Sequence, residues 1–283
     1  MVLGAGMGSR LKPFTVRRPK PLIPILGVPC IEFSLTHLAE AGVKDVVVNT
    51  HAHAEQLRHY LQSQPVPHLN LVESKEADQL LGSAGGFRKA LPFFQKGPFL
   101  SMNADVIHFA DLQTLSHAHA KFKRDHGVFM TLMLASGEVV EKQSGAYSEI
   151  LKNGESGLIE GVGAKKTHTP FYTGTAVFEH EAFSHLRFGR PAEFVPEVLL
   201  PMIQAKKVAF IESSALWIDI GSPELWAQAH LTLDLALQSH TLSPRISLLL
   251  KQADPTCRGE FELGKNTIRL EDIEYEIKGF RNS

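Results

Sequence analysis

Cysteine is scarce: Cys30 and Cys257 are the only two in 283 residues. That count excludes a disulfide framework, and a reducing cytoplasm is the default compartment. Long hydrophobic runs are absent. No stretch reaches the roughly 20 apolar residues that span a bilayer, and no signal peptide is expected. Neither sign of charge dominates, since 29 Lys and Arg face 30 Asp and Glu and the net charge is -1. No nucleic-acid or membrane-surface partner is expected, and any positive potential must be local. What the chain has is length and apolar content. At 283 residues and 43% hydrophobic it can build one large α/β domain, or one domain with a small appendage.

The most informative segment comes first. Leu3-Gly4-Ala5-Gly6-Met7-Gly8-Ser9-Arg10 runs from a short apolar stub into a glycine-rich loop, and Pro19-Lys20-Pro21 follows. Glycines let the backbone bend tightly and approach a ligand. Successive N–H groups in such a loop form an anion-binding concavity. Arg10 adds a planar fork of donors suited to phosphate, and Lys20, stiffened by its two prolines, adds a point charge. This set predicts a nucleoside triphosphate site. A dinucleotide fingerprint needs G-x-G-x-x-G, but Ser9 holds the third glycine's place, which disfavours an NAD-linked enzyme. A P-loop needs G-x-x-x-x-G-K-[ST], which is absent. A turn of small residues would explain the glycines alone, but not Arg10 and the Pro-Lys-Pro.

Apolar periodicity predicts helices over 31–41 (stopped by Gly42), 55–61, 87–93, 112–124 and 194–205. It predicts strands over 45–49, 68–73, 99–105, 128–134, 171–178, 208–212 and 216–220. Ser222 is a candidate N-cap with Pro223 at the first position of a helix reaching about residue 238. Residues 136–166 have weak periodicity and read as hairpins and loops. Alternating strands and helices predict an α/β fold with a Rossmann-like mixed, mostly parallel central sheet covered by helices on both faces. Ligands then sit at the carboxyl ends of strands, where the glycine loop and Asp105 fall.

With Leu11 added, the opening loop and Pro-Lys-Pro resemble the G-x-G-x-R-L…P-K-P signature of sugar-1-phosphate nucleotidyltransferases. Four later segments resemble that family in its own order. Leu81-Gly82-Ser83-Ala84-Gly85-Gly86 is similar to its L-G-T-A-G segment. Asn103-Ala104-Asp105 is similar to its G/N-D motif, and Tyr172-Thr173-Gly174 to its sugar-contact segment. Trp217-Ile218-Asp219-Ile220-Gly221-Ser222-Pro223 is similar to its W-x-D-[IV]-G-[ST]-P segment. The match spans about residues 3–230. Subgroups of similar appearance are the N-acetylmuramic acid-1-phosphate uridylyltransferases, which would make a cell-wall precursor, and the mannose-1-phosphate guanylyltransferases.

The resemblance implies the nucleotide-diphospho-sugar transferase fold and a site assignment. Arg10, Lys20 and Asp105 would be catalytic, and Asp105 and Asp219 would hold Mg²⁺. Leu3, Gly4, Ala5, Gly6, Met7, Gly8, Ser9, Gln79, Gly82, Ser83 and Asn103 would bind nucleotide. Gly85, Thr173, Gly174 and Lys165 would bind sugar. One departure concerns that last residue. Many members carry Glu-Lys-Pro with a lysine on the sugar phosphate, and here the region reads Gly163-Ala164-Lys165-Lys166, leaving Lys165 and Lys166 as alternatives. The substrates would be an NTP and a sugar 1-phosphate, in a monomer or homodimer. A non-catalytic nucleotide-sugar-binding regulator is the competing class, and retention of Arg10, Lys20, Asp105 and Asp219 argues for the enzyme. His51/His53 and His117/His119 lack zinc-like partners and read as structural or surface residues. The expected division is 1–238 as the nucleotidyltransferase domain, with a nucleotide-binding half (1–135) and a sugar-binding half (136–238). Residues 239–283 would be a C-terminal appendage, in which Gly264–Ile268 faintly resembles one coil of a left-handed β-helix.

Overall fold

The computed structural model describes residues 1–95, 97–253, 267–270 and 273–276. In chain order the strands are β1 (Val2–Leu3), β2 (Pro24–Ile25), β3 (Val28–Pro29), β4 (Asp45–Thr50), β5 (Asn70–Lys75), β6 (Phe99–Asn103) and β7 (Val106–His108). They continue with β8 (Met130–Ala135), β9 (Ser148–Asn153), β10 (Leu158–Lys165), β11 (Tyr172–Phe178), β12 (Val208–Ser213), β13 (Trp217–Asp219), β14 (Thr267–Leu270) and β15 (Ile273–Glu276). The helices are α1 (Cys30–Glu40), α2 (Ala54–Gln62), α3 (Gly82–Ala90), α4 (Leu112–His126), α5 (Glu138–Gln143), α6 (Leu200–Gln204), α7 (Pro223–Gln238) and α8 (Pro244–Gln252).

Nine strands form one sheet in the order β5-β4-β1-β6-β11-β8-β12-β10-β9. β5, β4, β1 and β6 are parallel, β12 is parallel to β8, and β11 and β10 run against their neighbours. This is the expected mixed, mostly parallel α/β sheet. The Val46-Val47-Val48 run shows why it is buried on both faces. Val46 and Val48 pack with Ile31, Leu35 and Leu57 of α1 and α2. Val47 packs with Phe87 of α3 on the other face. A strand covered twice needs no polar alternation. Helix ends follow local chemistry. Asp111 accepts from the Gln113 and Thr114 N–H groups to start α4, and Gly127 (φ 61) closes it. Ser222 Oγ accepts from Leu225 N to start α7, with Pro223 at its first position.

Four local expectations change. The segment expected as one strand over 99–105 breaks after Asn103 and turns, and β7 begins a separate ribbon with β13. The helix expected over 87–93 starts five residues earlier at Gly82, so the glycine-rich segment is its first turn. Residues 136–166 hold α5 as well as the β9–β10 hairpin. The 194–205 helix carries a wider π turn at Val195–Leu199 before α6. Among the described residues no helix is long and apolar enough to cross a membrane.

A further apolar cluster lies beneath the glycine loop. Leu11, Phe14, Ile23 and Ile25 pack with Ile107, Ile218 and Ile220 of the ribbon and with Trp226 and Leu233 of α7. Ile246 and Leu250 of α8 and Leu270 of β14 belong to the same cluster. Phe14 lies 4.7 Å from the Trp226 ring and 6.3 Å from Tyr275 on β15. The Trp226 indole N–H donates to Pro24 O at 2.7 Å. Cys257 and residues 264–266 of the segment likened to a β-helix coil lie outside the described residues. Leu250 is fully buried, so Leu250→Ala should lower stability by about 2–5 kcal/mol, read as a fall in the urea midpoint. An unchanged midpoint would mean that α8 is a loose attachment.

Candidate active site

β1 has two residues, yet it pairs on both sides: Val2 with Val48 and Met102, Leu3 with Asn49 and Asn103. The glycine loop therefore leaves the carboxyl end of the central parallel strands. Gly8 adopts φ 61, and a Cβ there would lie 2.7 Å from Thr15 Cγ2, so this turn requires glycine. Thr15 Oγ1 donates to Gly8 O at 2.7 Å and holds the loop closed. At Gly6 the space a Cβ would occupy is open. Met7, Ser9 and Arg10 are exposed along the same stretch.

The charged residues converge through the ribbon. β7 and β13 pair with Asp219 opposite Val106, and Ile220 N donates to Asp105 O at 3.3 Å, which sets Asp105 and Asp219 on adjacent rungs. Lys20 is 7% exposed and donates from Nζ to Asp105 Oδ2 at 2.5 Å. Tyr147 donates to Asp219 Oδ2 at 2.6 Å. Burial first, and then the Asp219 charge, hold the Tyr147 hydroxyl above its ordinary value, so it stays a donor. Tyr147 is fixed by stacking on Phe171 at 4.7 Å and by an edge contact with Trp217 at 5.2 Å. A Cβ at Gly221 would lie 2.9 Å from both Arg10 Nη2 and Asp219 Oδ2, so the bare backbone there leaves room for a guanidinium beside a carboxylate. Cys30 is fully buried nearby. Its thiol is pushed up by burial and then by the Asp105 charge, which makes it inert.

A cleft of about 320 Å³ opens beside the glycine loop and Asp105. It is lined by Leu3, Ala5, Gly6, Asn49, Leu80, Gly82, Ser83, Asn103, Asp105 and Glu193. Seven of these carry a site assignment from the sequence. Gln79 is exposed at the rim and donates to Gly189 O at 3.4 Å. Lys165 is exposed at the end of β10, opposite Ser148 and so beside Tyr147 in sequence. Thr173 is buried, and its hydroxyl donates to Met133 O at 2.9 Å. Gly174 adopts φ 87, and a Cβ there would lie 2.6 Å from Asn103 Nδ2, so this glycine lets the Asn103 amide lie against β11. The α3 glycines also make room for the chain itself. A Cβ at Gly82 or Gly85 would lie 2.6 Å from Ala192 O or Arg190 O, respectively. A larger cavity of about 550 Å³ lies at the opposite ends of the strands, against Met1, Asp45, Phe99 and Glu179. Its lining is mostly apolar, and its His119, Lys123 and Glu179 are paired with one another.

Sequence reasoning missed Asn49, Glu76, Tyr147 and Glu193. Asn49 had a usable signal: it is a polar residue ending a buried β-branched run. Tyr147 had none, because its partner Asp219 is 72 residues away. His51 and His53 each bond to a backbone carbonyl. His51 Nδ1 donates to Glu76 O at 2.7 Å, and His53 Nε2 donates to Thr15 O at 3.2 Å. Among the described residues no group of three or more His, Cys, Asp or Glu side chains is placed to hold a metal.

A model of the family described as Nucleotidyl transferase matches residues 1–234. N-acetylmuramate alpha-1-phosphate uridylyltransferase of Neisseria meningitidis serogroup B is 28% identical over 228 residues, 78% of this chain and 92% of that protein. Mannose-1-phosphate guanylyltransferase catalytic subunit beta of Drosophila pseudoobscura pseudoobscura is 26% identical over 230 residues, 79% of this chain and 59% of that protein. Among solved structures, HddC from Yersinia pseudotuberculosis has a TM-score of 0.69 over 82% of this chain and 97% of that one, at 18% identity, a likeness of fold.

The ribbon also carries a buried base. His108 is 3% exposed, its Nδ1 lies 3.2 Å from Thr175 Oγ1, and its Nε2 has no partner among the described residues. Burial, then the neighbouring His37, push its value down from 6.5 to about 3. Stability is therefore whole above pH 6.5 and is lost as the pH falls toward 3, because the unfolded chain takes up the proton first. Such a group removes about 1.4 kcal/mol per pH unit in that window. Urea midpoints should fall between about pH 6.5 and about pH 5, and His108→Gln should flatten the fall. An identical pH slope in the variant would show that His108 titrates freely.

Proposed function

We propose, for a chain that belongs to the nucleotidyl transferase family, that this cleft transfers a nucleoside monophosphate from an NTP to a sugar 1-phosphate and releases pyrophosphate. The preferred reaction is uridylyl transfer to an amino-sugar 1-phosphate. Guanylyl transfer to mannose 1-phosphate is the alternative, favoured by the similarity to the guanylyltransferase subunit. One observation carries the reading: the open glycine loop and Asp105 line one cleft, with buried Lys20 bonded to Asp105 and Asp219 on the adjacent rung.

The sugar phosphate oxygen attacks the α-phosphorus, and the bond from that phosphorus to the pyrophosphate oxygen breaks. The nucleophile is already an anion, so no general base is needed. The barrier lies in bringing anions together, and positioning with charge neutralisation answers it. Lys20, held by Asp105, neutralises charge on the reacting phosphates. Arg10, exposed at the loop's end, binds the departing β,γ-phosphates with its fork. The open face at Gly6 admits the nucleotide to the backbone of the loop.

The donor set suits a hard divalent cation, for which we propose Mg²⁺. Lys20 and Tyr147 each occupy an Oδ2 atom, and no described residue hydrogen-bonds to Oδ1 of Asp105 or Asp219. Magnesium accepts one or two carboxylates and fills its shell with phosphate oxygens and water. Asp105 and Asp219 would hold it, and it would supply Lewis-acid charge at the α-phosphate. Lys165, beside Tyr147 across the β9–β10 hairpin, is the proposed contact for the sugar phosphate. We place the nucleotide on the 1–135 half and the sugar on the 136–238 half, in a cytoplasmic enzyme acting as monomer or homodimer.

Pyrophosphate release should be assayed with Mg²⁺, crossing UTP, GTP, dTTP, CTP and ATP with a panel of sugar 1-phosphates. One pair should stand out, and Asp105→Asn should cut its turnover by about 10²-fold or more while keeping the folded circular-dichroism spectrum. Near-normal activity in that variant would refute the carboxylate assignment. Release from no pair, with a nucleotide sugar still raising the melting temperature, would favour a regulatory binder.

A further inference from the structure

Two buried side chains, one of them in the cleft lining, tie its walls together. Asn49 is 3% exposed and Glu76 is 2% exposed. Gly4 N donates to Asn49 Oδ1 at 2.8 Å. Asn49 Nδ2 donates to Glu76 Oε1 at 2.8 Å. Leu81 N donates to Glu76 Oε2 at 2.8 Å. The chain of bonds starts in the glycine loop and ends at the residue before α3. Glu76 is itself pinned by its backbone, since its N–H donates to Thr50 O at 2.8 Å and its carbonyl accepts from His51 Nδ1 at 2.7 Å. A Cβ at Gly86 would lie 2.9 Å from both Asn49 Nδ2 and Glu76 Oε1, so α3 approaches the pair as closely as a glycine allows.

Every group in this chain except the Asn49 amide can act in only one sense. The Gly4 and Leu81 N–H groups only donate, and the Glu76 carboxylate accepts from both directions. That fixes the Asn49 amide with its oxygen toward the loop and its nitrogen toward Glu76. We infer that Asn49 and Glu76 are positioning residues for the nucleotide: they set the gap between the glycine loop and the start of α3, into which the base and phosphates must fit. The inference rests on the proposed reading of the cleft as the NTP site. Neither side chain needs to touch a reacting atom, so their loss should weaken NTP binding far more than the chemical step.

The polarity of the chain supplies the test. Glu76→Gln introduces one donor facing another, whichever way the two amides are turned. Asn49→Asp sets two buried carboxylates against each other. The double variant Asn49→Asp/Glu76→Gln restores every bond: Gly4 N to Asp, Gln Nε2 to Asp, and Leu81 N to the Gln carbonyl. Each single variant should raise KM for the NTP about tenfold or more, with kcat within about threefold, and the double variant should return KM to within about threefold of wild type. If a single variant does not fold, Asn49→Ser, which removes the bridge without burying a charge, should show the same split of KM against kcat.

Unchanged KM in the single variants, or a double variant as impaired as the worse single, would overturn the inference. So would a loss of melting temperature with KM and kcat unaltered, which marks a merely structural tie. Wild-type protein that binds no NTP in a calorimetric titration would instead sink the reading of the cleft itself.

Discussion

An ammonium withdrawn from water and answered by a single carboxylate organises this site. Lys20 has 8% of its side chain exposed, and Asp105 has 32%. A cation this enclosed is unstable without a partner, so the Pro-Lys-Pro segment is bound to the ribbon wherever the chain is folded. The segment between Gly8 and Leu22 must then be compact, and it is. Three short 3₁₀ turns, Ser9–Leu11, Phe14–Val16 and Lys20–Leu22, wind it over an apolar floor of Leu11, Phe14 and Ile23. The same pairing keeps a buried positive charge beside Asp105, a lining residue of the cleft, without stranding it there.

The sheet divides the molecule into two ends of different character. At the carboxyl ends of the parallel strands, backbone N–H groups, glycines and charged side chains gather. At the amino ends, Phe94, Phe99, Leu100 and Val177 enclose a mostly apolar space whose charged groups are mutually satisfied. The ribbon of β7 and β13 lies outside the nine-stranded sheet and brings in a carboxylate from a second, distant part of the chain. Two aspartates 114 positions apart in sequence thereby become neighbours through one backbone hydrogen bond.

Much of this was legible from the sequence where the signal is local. The glycine loop, Arg10 and Pro-Lys-Pro lie within about twenty consecutive residues, and Asp105 and Asp219 each close a short apolar run. The α/β alternation followed from periodicity, and Val46-Val47-Val48 announced a strand buried on both sides. The break after Asn103 was hidden because the apolar character continues through Val106 and Ile107, while the turn is enforced by partners outside the segment, Lys20 and β13. The early start of α3 was hidden by glycines, which weaken any helical signature. Their reason for being there is the backbone of residues 190–192 and the Asn49–Glu76 pair. Tyr147 meets Asp219 across 72 positions and Glu76 meets Asn49 across 27, beyond the reach of any short window along the chain.

The floor beneath the glycine loop is assembled from both extremes of the described chain. Phe14 is met by Trp226 from α7 and by Tyr275 from β15, and Leu270 closes the same cluster. During synthesis the loop emerges before the residues that support it. Until α8 and the β14–β15 hairpin have left the ribosome, Leu11 and Phe14 have no complete surface to settle on. A nascent chain can form its central strands while the glycine loop above them is still unsupported. A settled glycine loop therefore depends on α8 and the β14–β15 hairpin as much as on the first half of the chain.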